Sequence, residues 1–284
     1  MLGANSGAMD IFSDNPDDYL RGLGEAGDGP HDIAGAALML AALDHPDRNR
    51  APFIAHLSEM TERLRGETRL VSRVEDVARS LSLLLAGQYG YEGDRPTYDD
   101  PRNANLMDVI TRRRGLPVAL GILYIHAARG AGFAASGLSS PGHFLVSVGF
   151  KGREALIDPF HGGAAIERER LSPPPRMRPA ASGLPRPADP VSDVEVLLRL
   201  QNNLKVRALE AGDRARALEI ARRMTLLAPR RPDIWLDFAQ MNEASGSLGA
   251  ARKALEQCLA LAGQGEAIHN EAALALNNLK RKLN

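Results

Sequence analysis

The sequence predicts an α+β domain with a helical N-terminal region, followed by an all-α segment. Helical spacing of apolar residues dominates up to about residue 130, short apolar runs between turn residues follow up to about residue 160, and helical spacing returns after residue 190. A buried helix followed by antiparallel strands is an α+β arrangement. We expect a mobile arm at residues 1–30, the α+β domain at 31–170, a proline-rich linker at 171–190 and a helical region at 191–284.

The composition is that of an ordinary soluble globular protein. The 35 basic and 35 acidic side chains leave no net charge, so no overall attraction to nucleic acid or to a membrane follows. The single cysteine, Cys258, excludes an intrachain disulfide and a cysteine-rich zinc site, and it suits a reducing cytoplasm. No apolar window reaches the length of a membrane span, and the N-terminus lacks the features of a signal peptide. We expect a cytoplasmic protein with no cofactor, no metal, and no nucleic-acid or membrane partner.

The elements of the predicted α+β domain follow from spacing and from turn residues. Asp32 is a predicted N-cap, and helical patterns cover residues 33–43, 51–65, 70–88 and 106–113, with a possible short helix at 16–23 inside the arm. Pro117 opens a helix, VALGILYIHAAR, that is apolar on nearly all sides and is therefore expected at the centre of the domain. The runs FAASGL, HFLVSVGF and EALIDPF are predicted strands.

The C-terminal helical region contains an internal repeat. It follows a segment with seven prolines in twenty residues, LSPPPRMRPAASGLPRPADP. Gly212, Ala217, Met224 and Pro229 recur 34 residues later as Gly246, Ala251, Cys258 and Gly263. Thirty-four is the period of a tetratricopeptide repeat, and Trp235 falls where its first-helix aromatic belongs. We expect two repeats with a capping helix at 266–282, presenting a surface to a protein or peptide partner.

A catalytic pattern is incomplete in the stretch PGHFLVSVGFKGREALIDPF. It sets His143 and Asp158 on two neighbouring predicted strands, as an imidazole and the acidic group that would fix its tautomer. The nucleophile is missing, because Cys258 lies about a hundred residues downstream in a repeat helix. Ser136, Ser139 and Ser140 are weaker substitutes. His161 is close in sequence to both residues, but the spacing matches no known metal site.

These motifs in this order resemble the bacterial SirB-type family of transglutaminase-like proteins. The resemblance rests on YDDPRNANLMDVITRRRGLPVALGILYIHAARGAGF, PGHFLV, LIDPFHGG and the repeat pair, and it covers the chain from about residue 20. It implies a papain-type core, in which a helix bearing the nucleophile packs on a small antiparallel sheet that supplies histidine and aspartate. It aligns Gly115 and Pro117 with the family's Gly-x-Cys, His143 with its histidine and Asp158 with its acid. Proline has no nucleophilic atom, so cysteine chemistry is excluded at this helix start.

Further candidate binding residues surround the predicted start of the central helix. They are Gly115, Pro117, Arg113, Asn103 and Asn105, with Asp100 and the neighbouring arginines of the run 112–114. A helix N-terminus and an arginine fork both suit an anion or an acidic peptide. The alternative is that the arginines form a solvated face and that the Asn and Asp side chains serve turns and caps. His126 and Cys258 are interpreted as packed core residues.

The residues leave more than one function open. The leading interpretation is a non-catalytic protein-interaction or regulatory module, whose cleft beside His143, Asp158 and residues 115–117 binds a peptide or small ligand while the repeats hold a partner. The alternative is a hydrolase or acyl-transfer enzyme in which His143 acts as a general base toward a water near Asp158. A weaker third interpretation is a repeat scaffold in which the first domain serves only as a cap.

Overall fold

The computed structural model describes residues 15–140, 143–167 and 190–283. The chain divides into two compact units, residues 29–200 and residues 1–28 together with 201–284. The predicted proline-rich linker lies outside the described residues except for Pro190. In the described ranges no helix is both long enough and apolar enough to cross a membrane.

The first unit has the α+β composition that the sequence predicts, and the second is helical. The helices are α1 (Pro16–Ala26), α2 (Ile33–Ala42), α3 (Ala51–Glu67), α4 (Val74–Ser82), α5 (Leu106–Arg112), α6 (Pro117–Gly130), α7 (Asp193–Glu210), α8 (Arg214–Leu227), α9 (Pro232–Ala244), α10 (Leu248–Leu261) and α11 (Ala267–Leu283). The strands are β1 (Glu92–Gly93), β2 (Arg114–Gly115), β3 (Ala134–Ser140), β4 (His143–Phe150), β5 (Arg153–Asp158), β6 (Ala164–Ile166) and β7 (Pro190–Val191).

Helix α6 is the central element of the α+β unit. Pro117 occupies its first position, where a missing N–H leaves no hydrogen bond unmade. Ten of its fourteen residues are buried, which explains why the sequence is apolar on nearly every side. The helix packs closely on β4 because residue 121 is glycine, and a Cβ atom there would overlap the ring of Phe144. Each fully buried leucine or isoleucine of this helix contributes about 1.5–3 kcal/mol through removal from water.

A five-stranded antiparallel sheet lies against this helix, in the order β6-β5-β4-β3-β7. The predicted hairpin is present, since β4 pairs with β5 through Val146 opposite Ile157, and the turn at Lys151 and Gly152 has positive φ at both residues. Several elements were not predicted, among them β6 and β7 of the sheet. Strands β1 and β2 form a separate parallel pair, and residues 83–88, expected as the end of a helix over 70–88, form a π-helical turn after α4.

The last strand and the start of α7 belong to the α+β unit, although the sequence placed residues 191–200 in the repeat region. Strand β7 pairs with β3, with Val191 opposite Gly137. Asp193 is buried and accepts two hydrogen bonds from Arg129, at 2.6 and 2.9 Å. The chain therefore returns to the sheet after the segment that lies outside the described residues.

The helical unit contains the predicted repeat. Helices α7 and α8, then α9 and α10, form two pairs, and α11 follows as the predicted capping helix. Gly212 and Gly246 occupy the inter-helix turns of the two pairs with φ of 77° and 78°. The same turn hydrogen bond recurs one period apart, from the N–H of Asp213 to the carbonyl of Ala208 and from Ser247 to Asn242, at 2.8 and 2.9 Å. The 34-residue period is therefore a structural repeat.

Helix α1 differs from the expectation of a mobile arm at residues 1–30. Its apolar side chains Leu20 and Leu23 are buried, and it packs on α8 within the helical unit. Asp17 forms an ion pair with Arg222 at 2.8 Å, and a Cβ at Gly24 would overlap the carbonyl oxygen of Leu226. The short helix predicted at 16–23 is thus present as part of a packed element. Residues 1–14 lie outside the described residues.

Candidate functional site

Asp158 ends strand β5 and is held by the turn that follows it. One carboxylate oxygen accepts hydrogen bonds from the N–H groups of Phe160 and His161, at 3.0 and 3.2 Å. The other lies 2.8 Å from Nδ1 of His161. Only 8% of the Asp158 side chain is exposed. The carboxylate is therefore fixed by three internal hydrogen bonds, of which one reaches an imidazole.

The predicted partner of Asp158 is His143, whose position in the backbone is defined. His143 begins β4 and lies opposite Ser140 on β3. Its side chain lies outside what the structure describes. The pairing of His143 with Asp158 stays a prediction, and the imidazole that contacts Asp158 in the described residues belongs to His161.

His161 combines a buried partner with an accessible ring. Its side chain is 40% exposed. Because the Asp158 carboxylate accepts the hydrogen on Nδ1, the neutral ring keeps its lone pair on Nε2, which is the atom available to a ligand. No cluster of three His, Cys, Asp or Glu side chains that could hold a metal ion occurs among the described residues.

An open cleft of about 780 Å³ lies beside His161, and we call it the His161 cleft. It is lined by Ala86, Gly90, Tyr91, Glu92, Gly93, Arg95, Pro96, Arg114, Phe160, His161 and Gly162. Strand β1 packs directly on the Asp158 turn, because residue 93 is glycine and a Cβ there would overlap the Phe160 ring. Glu92 pairs with Arg114 across the two short parallel strands at 2.8 Å.

Tyr124 is a buried residue of α6, the helix that packs against the turn after Asp158. Its oxygen is buried and has no hydrogen-bond partner in the part of the chain that the structure describes. Burial raises the pKa of Tyr124 well above its usual value, and the negative charge of Asp158 raises it further. Gly163 lies next to Ser82 and Tyr124. At this position φ is +72°, and a Cβ would overlap Oγ of Ser82 and lie 2.8 Å from the Tyr124 oxygen.

The candidate binding residues around the start of α6 are mostly engaged in internal contacts. Asn103 is fully buried, and its amide donates to the carbonyl of Thr97 at 2.6 Å while its side-chain oxygen accepts from Arg112 at 2.9 Å. Arg112 also pairs with Asp94 at 2.9 Å. Asp94 in turn accepts from the hydroxyl and N–H of Thr97. We call these four residues, Asp94, Thr97, Asn103 and Arg112, the Asp94 cluster.

Asn105 and Gly115 have structural contacts as well. The side chain of Asn105 accepts hydrogen bonds from the N–H groups of Met107 and Asp108, so it caps α5. Gly115 is buried on β2, where a Cβ would lie 2.9 Å from the side chain of Val109. These contacts are the cap and turn roles that the sequence left open as the alternative to binding.

Arg113 takes a different direction from its two neighbours in the arginine run. It adopts a left-handed conformation with φ of 61° at the end of α5. Its guanidinium donates to Nε2 of His56 at 2.8 Å and to the hydroxyl of Tyr91, and it lies 4.7 Å from the centre of the Tyr91 ring. Burial lowers the pKa of His56, and the charge of Arg113 lowers it further. The three arginines of the run 112–114 therefore form separate contacts. Arg112 pairs with Asp94, Arg113 contacts His56 and Tyr91, and Arg114 pairs with Glu92.

Comparison with known families agrees with this architecture. The model of the transglutaminase-like superfamily matches residues 51–202, which is more than half of the chain, and a tetratricopeptide repeat model matches residues 204–275. The chain belongs to the transglutaminase-like superfamily. The end of the first match lies close to residue 200, where the α+β unit of this transglutaminase-like protein ends.

Similar proteins occur in bacteria and in a mammal. The UPF0162 protein of Xylella fastidiosa (strain Temecula1 / ATCC 700964) is 29% identical over 235 residues, which are 79% of this chain and 83% of that protein. The UPF0162 protein of Vibrio cholerae serotype O1 is 37% identical over 99 residues, 34% of this chain and 37% of that protein. F-box only protein 21 of Mus musculus is 30% identical over 84 residues, 28% of this chain and 13% of that protein.

In the transglutaminase-like domain the position expected for the nucleophile holds Pro117, the first residue of α6. The single cysteine, Cys258, is fully buried among apolar side chains of the helical unit, and burial raises the pKa of its thiol. His126 lies 3.4 Å from the carbonyl oxygen of Leu57 and from the hydroxyl of Thr61, as expected for a packed histidine.

Sequence reasoning did not identify His161 and Arg95 as neighbours of one cleft. A signal for His161 exists, because Asp-Pro-x-His places the histidine three residues after a carboxylate that caps a turn. Arg95 has no such signal. Its place depends on the contact between β1 and the Asp158 turn, which no local pattern indicates.

Proposed function

We propose that this transglutaminase-like protein is a non-catalytic interaction or regulatory module of the cytoplasm, which binds a protein or peptide partner through its tetratricopeptide repeats. The observation that supports a non-catalytic role is Pro117 at the first position of α6, where the resemblance expects a cysteine. No side chain at that position can attack a carbonyl carbon. Membership of the SirB-type branch within the superfamily stays a prediction.

Polar side chains on the first helix of each repeat support partner binding. Lys205 on α7 pairs with Asp237 on α9 at 2.6 Å. From α9, Gln240 donates to Glu271 on α11 at 3.1 Å, and Glu243 pairs with Lys282 at 2.6 Å. Tetratricopeptide repeats use one face of the stacked helices to contact partner segments. Here that face would offer hydrogen-bonding and charged groups.

A cavity of about 500 Å³ lies between α9 and α11. It is lined by Gln240, Glu243, Ala275, Asn278, Arg281 and Lys282. Most of these side chains are polar or charged. We expect a partner segment with its own charged or amide side chains, since such groups would replace the internal pairs without leaving buried charges unmatched.

The full chain, purified with an affinity tag, provides the test by quantitative capture from a bacterial lysate. We compare the wild type, a Gln240→Ala, Arg281→Ala double variant in the cavity, and Lys253→Ala, an exposed change on α10 outside it. The proposal expects partners that the wild type and Lys253→Ala retain equally and that the double variant loses. Equal capture by all three proteins would contradict binding by this face, and so would the absence of any saturable partner.

The alternative is a hydrolase or acyl-transfer enzyme that uses His143 and Asp158 without a cysteine. It is supported by the fixed, nearly buried Asp158 carboxylate at the end of β5, next to the strand that carries His143. In such an enzyme His143→Ala removes turnover of acyl substrates while partner capture is unchanged. Turnover that survives His143→Ala would exclude this mechanism.

A further inference from the structure

We propose that the His161 cleft binds a small molecule through an oxyanion group, a carboxylate or a phosphate, that Arg95 and His161 hold. The proposal goes beyond the proposed function, because it concerns the α+β unit and does not depend on what the repeats bind. Four features of the described residues support it: an arginine without an internal partner, a histidine oriented by a buried carboxylate, glycines that expose the backbone, and the balance of charge along the cleft.

Arg95 is the first feature. In the described part of the chain its guanidinium forms no hydrogen bond and no ion pair, although it lines the cleft and is exposed. Its backbone is nevertheless anchored, because the preceding residue is Asp94, 1% exposed and held by Arg112 and Thr97. An arginine on a fixed backbone offers its planar donor fork to a carboxylate or phosphate, and only its side chain has to become ordered on binding.

His161 is the second feature. The Asp158 carboxylate takes the Nδ1 hydrogen, and two backbone N–H groups hold that carboxylate in place, so the ring has one preferred orientation. Its Nε2 then accepts a hydrogen bond from the acidic hydrogen of a ligand, or donates one when the ring is protonated. A hydrogen phosphate group offers both kinds of partner, and a carboxylate accepts from the protonated ring.

The third feature is the exposed backbone of two glycines that line the cleft. Gly90 and Gly162 have φ of 73° and 67°, a conformation that glycine adopts without strain, and no side chain extends from them into the space. Phe160 packs against Gly93 and closes one wall. A volume of about 780 Å³ accommodates a small molecule that occupies part of the cleft.

Charge is the fourth feature. The lining contains two arginines and one carboxylate, and that carboxylate, Glu92, is already paired with Arg114. Asp158 is covered by the Pro159–His161 turn that it caps. The charge that remains available to a ligand is the positive charge of Arg95. An anionic group is therefore the favoured occupant of this position.

The test uses the full chain with ¹³C-labelled histidine, and the His161 signal is assigned by its loss in His161→Gln. Inorganic phosphate and acetate are titrated separately at constant ionic strength, with sodium chloride as the balancing salt. We expect a saturable shift of the His161 signal. Arg95→Ala should weaken the affinity about tenfold, the effect of losing one charged hydrogen bond.

Arg153→Ala provides the matched control. Arg153 is also exposed, its guanidinium forms no ion pair or hydrogen bond in the described residues, and it does not line the cleft. It should change the affinity less than about twofold, as expected for a distant and screened charge. Saturation by phosphate but not acetate identifies a phosphate ligand, the reverse identifies a carboxylate ligand, and saturation by both supports the oxyanion site.

Two results would overturn the proposal. One is a shift that is linear in both anions and equal to the shift caused by chloride. The other is the same affinity for Arg95→Ala and Arg153→Ala. Neither result affects the proposed role of the repeats, because partner capture is measured with variants of α9 and α11 and should be unchanged in Arg95→Ala.

Discussion

Two polar groups of residues in the transglutaminase-like domain differ in how their hydrogen bonds are satisfied. In the Asp94 cluster the carboxylate, the amide and the guanidinium bond one another. In the His161 cleft, Asp158 fixes one side of an imidazole whose other side faces an open space, and Arg95 next to it has no internal partner among the described residues. Within this domain, the groups whose hydrogen bonds are not satisfied internally mark the candidate binding surface, since both groups of residues use the same residue types.

The largest expected effect comes from opening the Asp94 cluster. Arg112→Ala leaves the buried Asp94 carboxylate without its ion pair, and we expect the free energy of unfolding to fall by about 3 kcal/mol. Arg114→Ala breaks the exposed pair with Glu92 and should lower it by less than about 1 kcal/mol. Urea unfolding of both variants measures the difference. Equal losses of unfolding free energy would mean that the buried ion pair of the Asp94 cluster contributes no more to stability than the exposed pair at the cleft.

Gly163 provides the next test, at the wall behind the cleft. In Gly163→Ala the added methyl overlaps Ser82 in a backbone conformation that disfavours alanine, so we expect a loss of about 2–3 kcal/mol. Gly152→Ala has a similar φ of +75° with nothing within 4 Å of the new atom, and should lose only about 1 kcal/mol. Thermal unfolding compares them. A Gly163→Ala protein as stable as Gly152→Ala would show that Ser82 moves to accommodate the added methyl group.

A smaller effect is the pH dependence of the Asp94 cluster. Burial alone would raise the pKa of Asp94, but hydrogen bonds from Thr97, Asn103 and Arg112 hold it below its usual value of 3.8. A lowered pKa in the folded state means that the carboxylate stabilises the fold above about pH 4, and that this contribution is lost as the pH falls further. The stability difference between wild type and Asp94→Asn should therefore shrink from pH 5 to pH 2, and a constant difference would contradict it.

The smallest effect is expected at Tyr124. Its buried hydroxyl has no partner in the described residues, so Tyr124→Phe removes an unsatisfied group and leaves the ring in place. The free energy of unfolding should change by no more than about 0.5 kcal/mol or should rise, whereas loss of a satisfied buried hydroxyl lowers it by about 1 kcal/mol. A clear loss of stability on chemical denaturation would reveal a partner of this hydroxyl.

Much of the architecture follows from local patterns. The apolar spacing and Pro117 predict α6, the turn at 151–152 predicts the hairpin, and the 34-residue period predicts the paired helices of the second unit. Each of these depends on residues close in sequence, and periodicity records which face is buried. The fold class is confirmed by the matches to the transglutaminase-like superfamily and to the tetratricopeptide repeat.

The site was less accessible to sequence reasoning. Asp158 was identified as a candidate, but Asn103 and Arg113 were singled out for residue type alone. Asn103 contacts Arg112, only 9 residues away, whereas Arg113 contacts His56 and Tyr91, which lie 57 and 22 residues away in the chain. The packing of β1 on the Asp158 turn creates the His161 cleft, and long-range packing leaves no periodic signal. Strand β7 could not be predicted for the same reason, since its pairing with β3 follows the intervening segment.

The packing of α1 on α8 has a consequence for biosynthesis. Helix α1 is made first, yet α8 begins nearly 200 residues later, so at about 5–20 residues per second the ribosome takes roughly 10–40 s to supply its binding surface. During that interval Leu20 and Leu23 lack their final environment, and the whole α+β unit is synthesised before α8. The helical unit is therefore completed last, and a chaperone that binds the apolar side chains of a nascent amphipathic helix would have this interval in which to bind α1.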